Sequence, residues 1–173
     1  MNPTLIIIGG IPGTGKSTLA KALSRELKVP VFSKDELEAS IVRAGLSEAK
    51  DMRGVGYEIM ATLARNQIET GNSAIFDFIA SSNRVINLWP DLLFESYIYI
   101  ECICSDEKIH KDRIEERIRP IEGWYELCWD DVVNIKRVYR VLRTDRLVLD
   151  SINDFSDNIK LAVEYVSKNA CNK

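Results

Sequence analysis

The chain has 173 residues, 46% hydrophobic and 28% charged, enough to bury one core and little more. A net charge of −3 gives no overall attraction to nucleic acid or an anionic membrane, so any anion must be held locally. The single histidine, His110, excludes paired-histidine metal sites, and Cys102, Cys104, Cys128 and Cys171 form no CxxC pair, which favours free thiols in a reducing cytoplasm over zinc or disulfides.

In chain order, short apolar runs alternate with longer amphipathic segments. Residues 5–8 form a first strand, and this run is too short for a signal peptide or a membrane span. A helix is expected over 17–27, with Leu19, Ala20, Leu23 and Leu27 on one stripe. A weak second strand follows at 31–33, then helices over 36–44 and 56–70, the latter stopped by Gly71. The third strand is expected at 74–78, a short helix at 85–93, and a β-branched and aromatic fourth strand at 97–104. A charged helix over 107–118, a helix over 130–142, a last strand at 147–149 and an amphipathic helix over 154–167 complete the order. Five strands alternating with helices predict a single α/β domain around a mostly parallel sheet, with ligands bound beyond the carboxyl ends of the strands.

At the end of the first strand, Gly10-Ile11-Pro12-Gly13-Thr14-Gly15-Lys16-Ser17 fits the phosphate-loop pattern G-x-x-x-x-G-K-[ST]. The glycines let backbone N–H groups turn inward around an anion, and the following helix presents its positive end. In that pattern Lys16 reaches the β- and γ-phosphates, the Ser17 hydroxyl goes to Mg²⁺, and Thr18 adds a phosphate contact. Gly10, Pro12, Gly13, Thr14 and Gly15 complete the nucleotide-binding set. A GTPase fits poorly: there is no NKxD, and the DxxG at Asp51 to Gly54 lies in a polar stretch.

With GIPGTGKSTLA at the loop, VFSKDELE after the second strand, AIFDFIASSNR at the third and CSDEKIHKDRIEER after the fourth, the sequence resembles the adenylate-kinase-like small P-loop kinases. The likeness is strongest toward the AAA-type branch with chloramphenicol phosphotransferase, zeta toxins and polynucleotide 5′-hydroxyl kinases, and it spans nearly the whole chain. It implies a three-layer α/β fold, a five-stranded parallel sheet in the order 2-3-1-4-5, and a lid over about 107–130. It also implies ATP and Mg²⁺ as cofactors and transfer of the γ-phosphate to a hydroxyl of a small acceptor. Asp35 matches the aspartate that takes the proton from the attacking hydroxyl, although aspartate also suits a helix N-cap, a place that Ser33 can equally fill. Asp77 has the form of a Walker B carboxylate holding Mg²⁺, or of a cap for the next turn. Arg113 would sit nearer the base and Arg117 nearer the γ-phosphate, four residues apart on one helix face, unless Asp112, Glu115 and Glu116 engage them as surface ion pairs. Arg84 matches a substrate-side arginine or is an exposed helix residue.

Lys136, Arg140 and Arg143 are expected on one helical face, solvated or attracting an acidic substrate. Trp124, Tyr125 and Trp129 either stack on a ring-bearing substrate or pack the lid. Acidic residues in the lid disfavour a nucleic-acid partner, leaving a polynucleotide or nucleoside kinase and a nucleotide-dependent switch as alternatives. A cytoplasmic monomer or homodimer without a membrane partner is expected. His110 has no place in this scheme.

Overall fold

A computed structural model of the chain describes residues 3–46, 48, 52, 54–93, 97–119 and 121–170; Asp51, Arg53, Pro120 and Cys171 lie outside the described residues. The elements are β1 (Leu5–Gly9), α1 (Lys16–Leu27), β2 (Val31–Ser33), α2 (Lys34–Arg43), α3 (Val55–Glu69), β3 (Ala74–Asp77) and α4 (Ser82–Leu88). A 3₁₀ turn (Pro90–Leu93) leads to β4 (Tyr97–Ile103), α5 (Glu107–Glu116), α6 (Trp129–Val138), β5 (Leu147–Asp150) and α7 (Phe155–Ala170). The five strands pair in parallel in the order β2-β3-β1-β4-β5. This is the three-layer α/β arrangement expected from the sequence.

The apolar run of β1 is continuous because both faces of the sheet are covered. Leu5 and Ile7 join Phe76, Tyr57, Met60 and Trp89 in a core on one face. Ile6 and Ile8 join Leu19, Leu23, Ile100 and Val166 on the other. Alternation along one strand thus feeds two cores, α3 and α4 supplying the first and α1 and α7 the second. Among the described residues no helix is long and apolar enough to cross a membrane.

Four expectations need correction. The short helix expected at 85–93 begins at Ser82 and stops at Leu88, because Pro90 lacks an N–H and restricts residue 89. Helix α5 ends at Glu116, and Arg117 has extended backbone (φ −72°, ψ 140°), so Arg113 and Arg117 do not share a helix face. The chain leaves the helix there as Arg117 and Arg119 turn toward Glu126, at 3.3 and 3.0 Å.

Helix α6 stops at Val138, so Lys136, Arg140 and Arg143 do not form one helical face either. Tyr139 is drawn inward instead, its hydroxyl donating to Glu101 at 2.8 Å, while the Arg140 N–H donates to the Ser81 hydroxyl at 3.1 Å. Finally, α2 begins two residues earlier than expected, with Ser33 rather than Asp35 as its N-cap. Asp35 stands in the first turn, where the positive end of the helix favours a carboxylate.

Candidate active site

The loop after β1 crosses the carboxyl edge of the sheet and turns into α1. Gly10 (φ 139°) abuts the backbone carbonyl of Cys102 in β4, and a Cβ there would also meet the Thr14 hydroxyl at 2.8 Å. Only glycine fits that close approach. Thr14 is buried, and its hydroxyl donates to the Ile11 carbonyl at 2.9 Å, fastening the loop from within. Gly15 caps α1 in the left-handed conformation (φ 82°), with no side chain on the helix N–H groups and no acidic residue in the first turn. The N-terminus of α1 therefore offers unclaimed donors to an anion.

His110, omitted from the sequence scheme, braces this loop from α5. Its ring is 2% exposed, and Nε2 donates to the Pro12 carbonyl at 2.7 Å, since a carbonyl can only accept. Burial foremost, then Lys136, Arg113 and Arg117, holds its pKa below the ordinary 6.5, against the pull of the Pro12 bond. With the carbonyl as acceptor, Nε2 carries a proton. Trp129 packs edge-on against it, ring centroids 5.2 Å apart.

A cleft of about 420 Å³ opens beyond the strand ends, lined by Pro12, Gly13, Gly15, Lys16, Ser17 and Thr18 on one side. Asp35, Asp77, Arg84, Arg113, Arg117 and Arg119 line it as well. Register sets Asp77 beside the strand that leads to Asp35: at the end of β3 it pairs with Ile8 on one side and, on the other, with Ser33, two residues before Asp35. Asp77 is 3% exposed, and its Oδ1 has no hydrogen-bond partner among the described residues. Burial raises its pKa, opposed by Lys16 and by the Ser17 and Ser33 hydroxyls. A buried carboxylate oxygen left open beside a serine hydroxyl has the hard-oxygen chemistry of a Mg²⁺ site, so Ser17 and Asp77 fit that ion.

The arginines divide. Arg113 is held by Ser151, donating to its hydroxyl at 2.6 Å and its carbonyl at 3.0 Å, rather than by Asp112, Glu115 or Glu116. It borders both the cleft and an adjoining pocket of about 300 Å³ lined by Leu149, Asn153, Phe155 and Asn158. Arg117 faces the cleft, with Nη2 buried and unpartnered among the described residues. Burial foremost, then the neighbouring Arg119, lowers its pKa, against the opposing pull of Glu126 and Asp35. Arg119 donates to Asp35 Oδ2 at 2.7 Å.

Across the cleft, Glu38 is buried against Lys34, which donates to Oε2 at 2.6 Å and lies 5.2 Å from the Tyr57 ring centroid. Burial raises the Glu38 pKa. A Cβ on Gly56 would meet Glu38 Oε1 at 2.5 Å, so glycine lets this carboxylate approach the first turn of α3. Tyr57, its pKa pushed up to about 12 chiefly by burial, neighbours Arg84, and Trp124 and Tyr125 (ring centroids 5.0 Å apart) close the outer wall. Trp129 belongs to the His110 packing instead. Cys102 is core, its thiol pushed up to about 12 by burial.

A family model described as AAA domain matches residues 5–123. A stretch of 52 residues is 46% identical to the ATP-dependent zinc metalloprotease FtsH of Photobacterium profundum, covering 29% of this chain and 8% of that protein. The chain therefore spans under a tenth of that curated relative's length. A structure from Chloroflexus aurantiacus superposes with a TM-score of 0.75 at 24% identity, covering 98% of this chain and 99% of that one. A gluconokinase from Sinorhizobium meliloti gives 0.69 at 14% identity, covering 98% and 95%. A shikimate kinase from Aquifex aeolicus gives 0.59 at 17% identity, covering 98% and 100%. The fold is that of the small P-loop kinases.

Proposed function

Because the chain belongs to the AAA domain family and folds as small P-loop kinases do, we propose that it is an ATP-dependent phosphotransferase acting on a hydroxyl of a small molecule. The observation that carries this reading is that Asp35 shares one cleft with the phosphate loop, Asp77 and Arg117. A nucleotide switch needs no carboxylate opposite the loop; a kinase does.

In this reading the α1 N-terminus and Lys16 bind the triphosphate, and the pocket beside Arg113 takes the base. Ser17 and Asp77 would hold Mg²⁺, which when bound supplies charge neutralisation on the phosphate oxygens. Asp35 orients the acceptor hydroxyl and accepts its proton. The acceptor oxygen bonds to the γ-phosphorus as the bridging P–O bond breaks, and that electron pair leaves with the nucleoside diphosphate. Arg117 stabilises charge on the phosphoryl group in flight, and the segment near 107–130 acts as the lid that keeps water out. Arg84, Tyr57, Trp124 and Tyr125 bound the acceptor end. The setting is the cytoplasm, where ATP is at hand.

The test is a screen with γ-labelled ATP over pooled sugars, sugar acids, nucleosides, antibiotics and 5′-hydroxyl oligonucleotides. Asp35→Asn should bind nucleotide nearly as well as the parent and transfer nothing. Transfer at the parental rate by that variant would remove Asp35 from the mechanism, and label confined to inorganic phosphate across every pool would favour the switch.

A further inference from the structure

Among the described residues of the cleft, Arg119 has its guanidinium committed on two walls at once. Nη1 reaches Asp35 Oδ2 at 2.7 Å, Nε reaches Glu126 Oε2 at 3.0 Å, and Nη2 reaches the Tyr125 carbonyl at 2.6 Å. Its backbone N–H adds a bond to Glu126 Oε1 at 2.9 Å. Arg119 and Asp35 are 84 residues apart in sequence, and the side chains are 19% and 42% exposed. A second strap joins the same two walls: Arg43 Nη1 donates to the Glu122 carbonyl at 2.8 Å. Gly123 (φ 78°) lies against it, a Cβ there meeting the Arg43 side chain at 3.2 Å. Arg119 and residues 121–126 are therefore fastened to α2 at two points, at Asp35 in the first turn and at Arg43 in the last.

Packing alone restrains a half-exposed carboxylate weakly, and the charge-assisted bond from Nη1, on a guanidinium whose plane is fixed by its other partners, adds the restraint. That bond occupies Oδ2 and leaves Oδ1 for another donor. Resting on the reading of Asp35 as the group that receives the acceptor proton, we propose that Arg119 is a positioning residue that couples lid closure to the orientation of Asp35. The carboxylate is aimed only when the 119–126 segment is down, so proton acceptance and exclusion of water arrive together. With the segment raised, Asp35 loses its restraint and the bound nucleotide meets water without an aligned acceptor.

The experiment compares Arg119→Gln, Arg119→Lys and Asp35→Asn in the full chain. With an acceptor from the screen, Arg119→Gln should retain nucleotide affinity and melting temperature close to the parent. Its acceptor turnover should drop about tenfold or more, with a rising share of ATP lost to water. Arg119→Lys should recover part of the transfer, since an ammonium can meet Asp35 but cannot span Glu126 and the Tyr125 carbonyl as well. An unchanged ratio of transfer to hydrolysis in Arg119→Gln would overturn the proposal, whether both rates stay or both fall. A second readout needs no acceptor: limited proteolysis of the 117–127 segment in the presence of a non-hydrolysable ATP analogue. Either single variant should speed cleavage there, and Arg119→Gln combined with Asp35→Asn should be no faster than the singles; multiplicative effects would refute the coupling. A parent that phosphorylates no acceptor yet shows the proteolytic coupling would reject the kinase reading and keep the latch. A parent that phosphorylates an acceptor with an unchanged ratio in Arg119→Gln would do the reverse.

Discussion

Replacing His110 with alanine removes a 2% exposed ring whose Nε2 holds the Pro12 carbonyl at 2.7 Å. Pro12 is buried, so its carbonyl is left without a partner, at a cost of about 1–3 kcal/mol. The vacated ring volume beneath Gly13 and against Trp129 adds about 2 kcal/mol on the scale of large-to-small core substitutions. A loss of roughly 3–5 kcal/mol in urea unfolding is expected, a large fraction of the ~5–15 kcal/mol typical of a domain. Because the ring braces the loop proposed to bind phosphate, nucleotide affinity measured by calorimetry should fall as well. His110→Gln, which can still present an N–H to the carbonyl, should recover part of both. The parent should also show a pH signature. A base whose folded pKa lies below its ordinary 6.5 contributes stability that is whole above that value and drains away as pH falls toward the folded pKa. Subtracting the His110→Gln profile isolates this component, since the chain has one histidine. Equal stability and nucleotide affinity in the parent and His110→Ala would refute the bracing role.

Three further outcomes follow from the cleft. Asp77 carries a pKa raised by burial, so its contribution to stability is present below its unfolded value and lost as pH rises through the folded one. Asp77→Asn should therefore gain stability relative to the parent as pH rises while losing the Mg²⁺ dependence of ATP binding, checked by paired thermal melts and calorimetry. Gly13→Ala places a side chain at φ 86°, with its Cβ 2.7 Å from Ile114 Cδ1 and 2.9 Å from the His110 ring. We expect about 1–3 kcal/mol of destabilisation and loss of nucleotide binding; a neutral variant would show that the loop relaxes away from α5. Arg84→Gln should raise the KM of the acceptor about tenfold or more without moving that of ATP, which steady-state kinetics with either substrate varied will show.

The donor half of the site was legible in the sequence because its chemistry is local. Gly10 to Ser17 are contiguous, and the strand before them and helix after them are set by short-range patterning. The open Oδ1 of Asp77 was not legible, although the residue was, because burial depends on the neighbouring strands. His110 was missed for the same reason: its partner is a carbonyl 98 residues away, and no spacing rule marks a backbone acceptor. A signal was nonetheless present. His110 and Ile114 lie four apart on a helix whose other residues, Ile109 excepted, are charged, and both face Gly13. Arg113 stands on α5 as read, whereas Arg117 was placed on a helix that ends one residue before it, since the pull of Glu126 is tertiary.

The order of the strands also works as a ruler. Backbone ladders hold neighbouring strands about 4.8 Å apart. The phosphate loop springs from β1 with a strand bonded on each side, whereas Asp35 follows β2, a three-residue strand at the margin of the sheet. The donor half is consequently gauged by two full ladders and has little freedom to drift. The half that meets the acceptor hangs from a single short ladder, Val31 to Ser33 against Ile75 to Asp77. On the proposed reading, substitutions around β2 and α2 can thus reset the distance to a new acceptor while the nucleotide seat keeps its dimensions, making this margin the place to begin in redesigning acceptor choice.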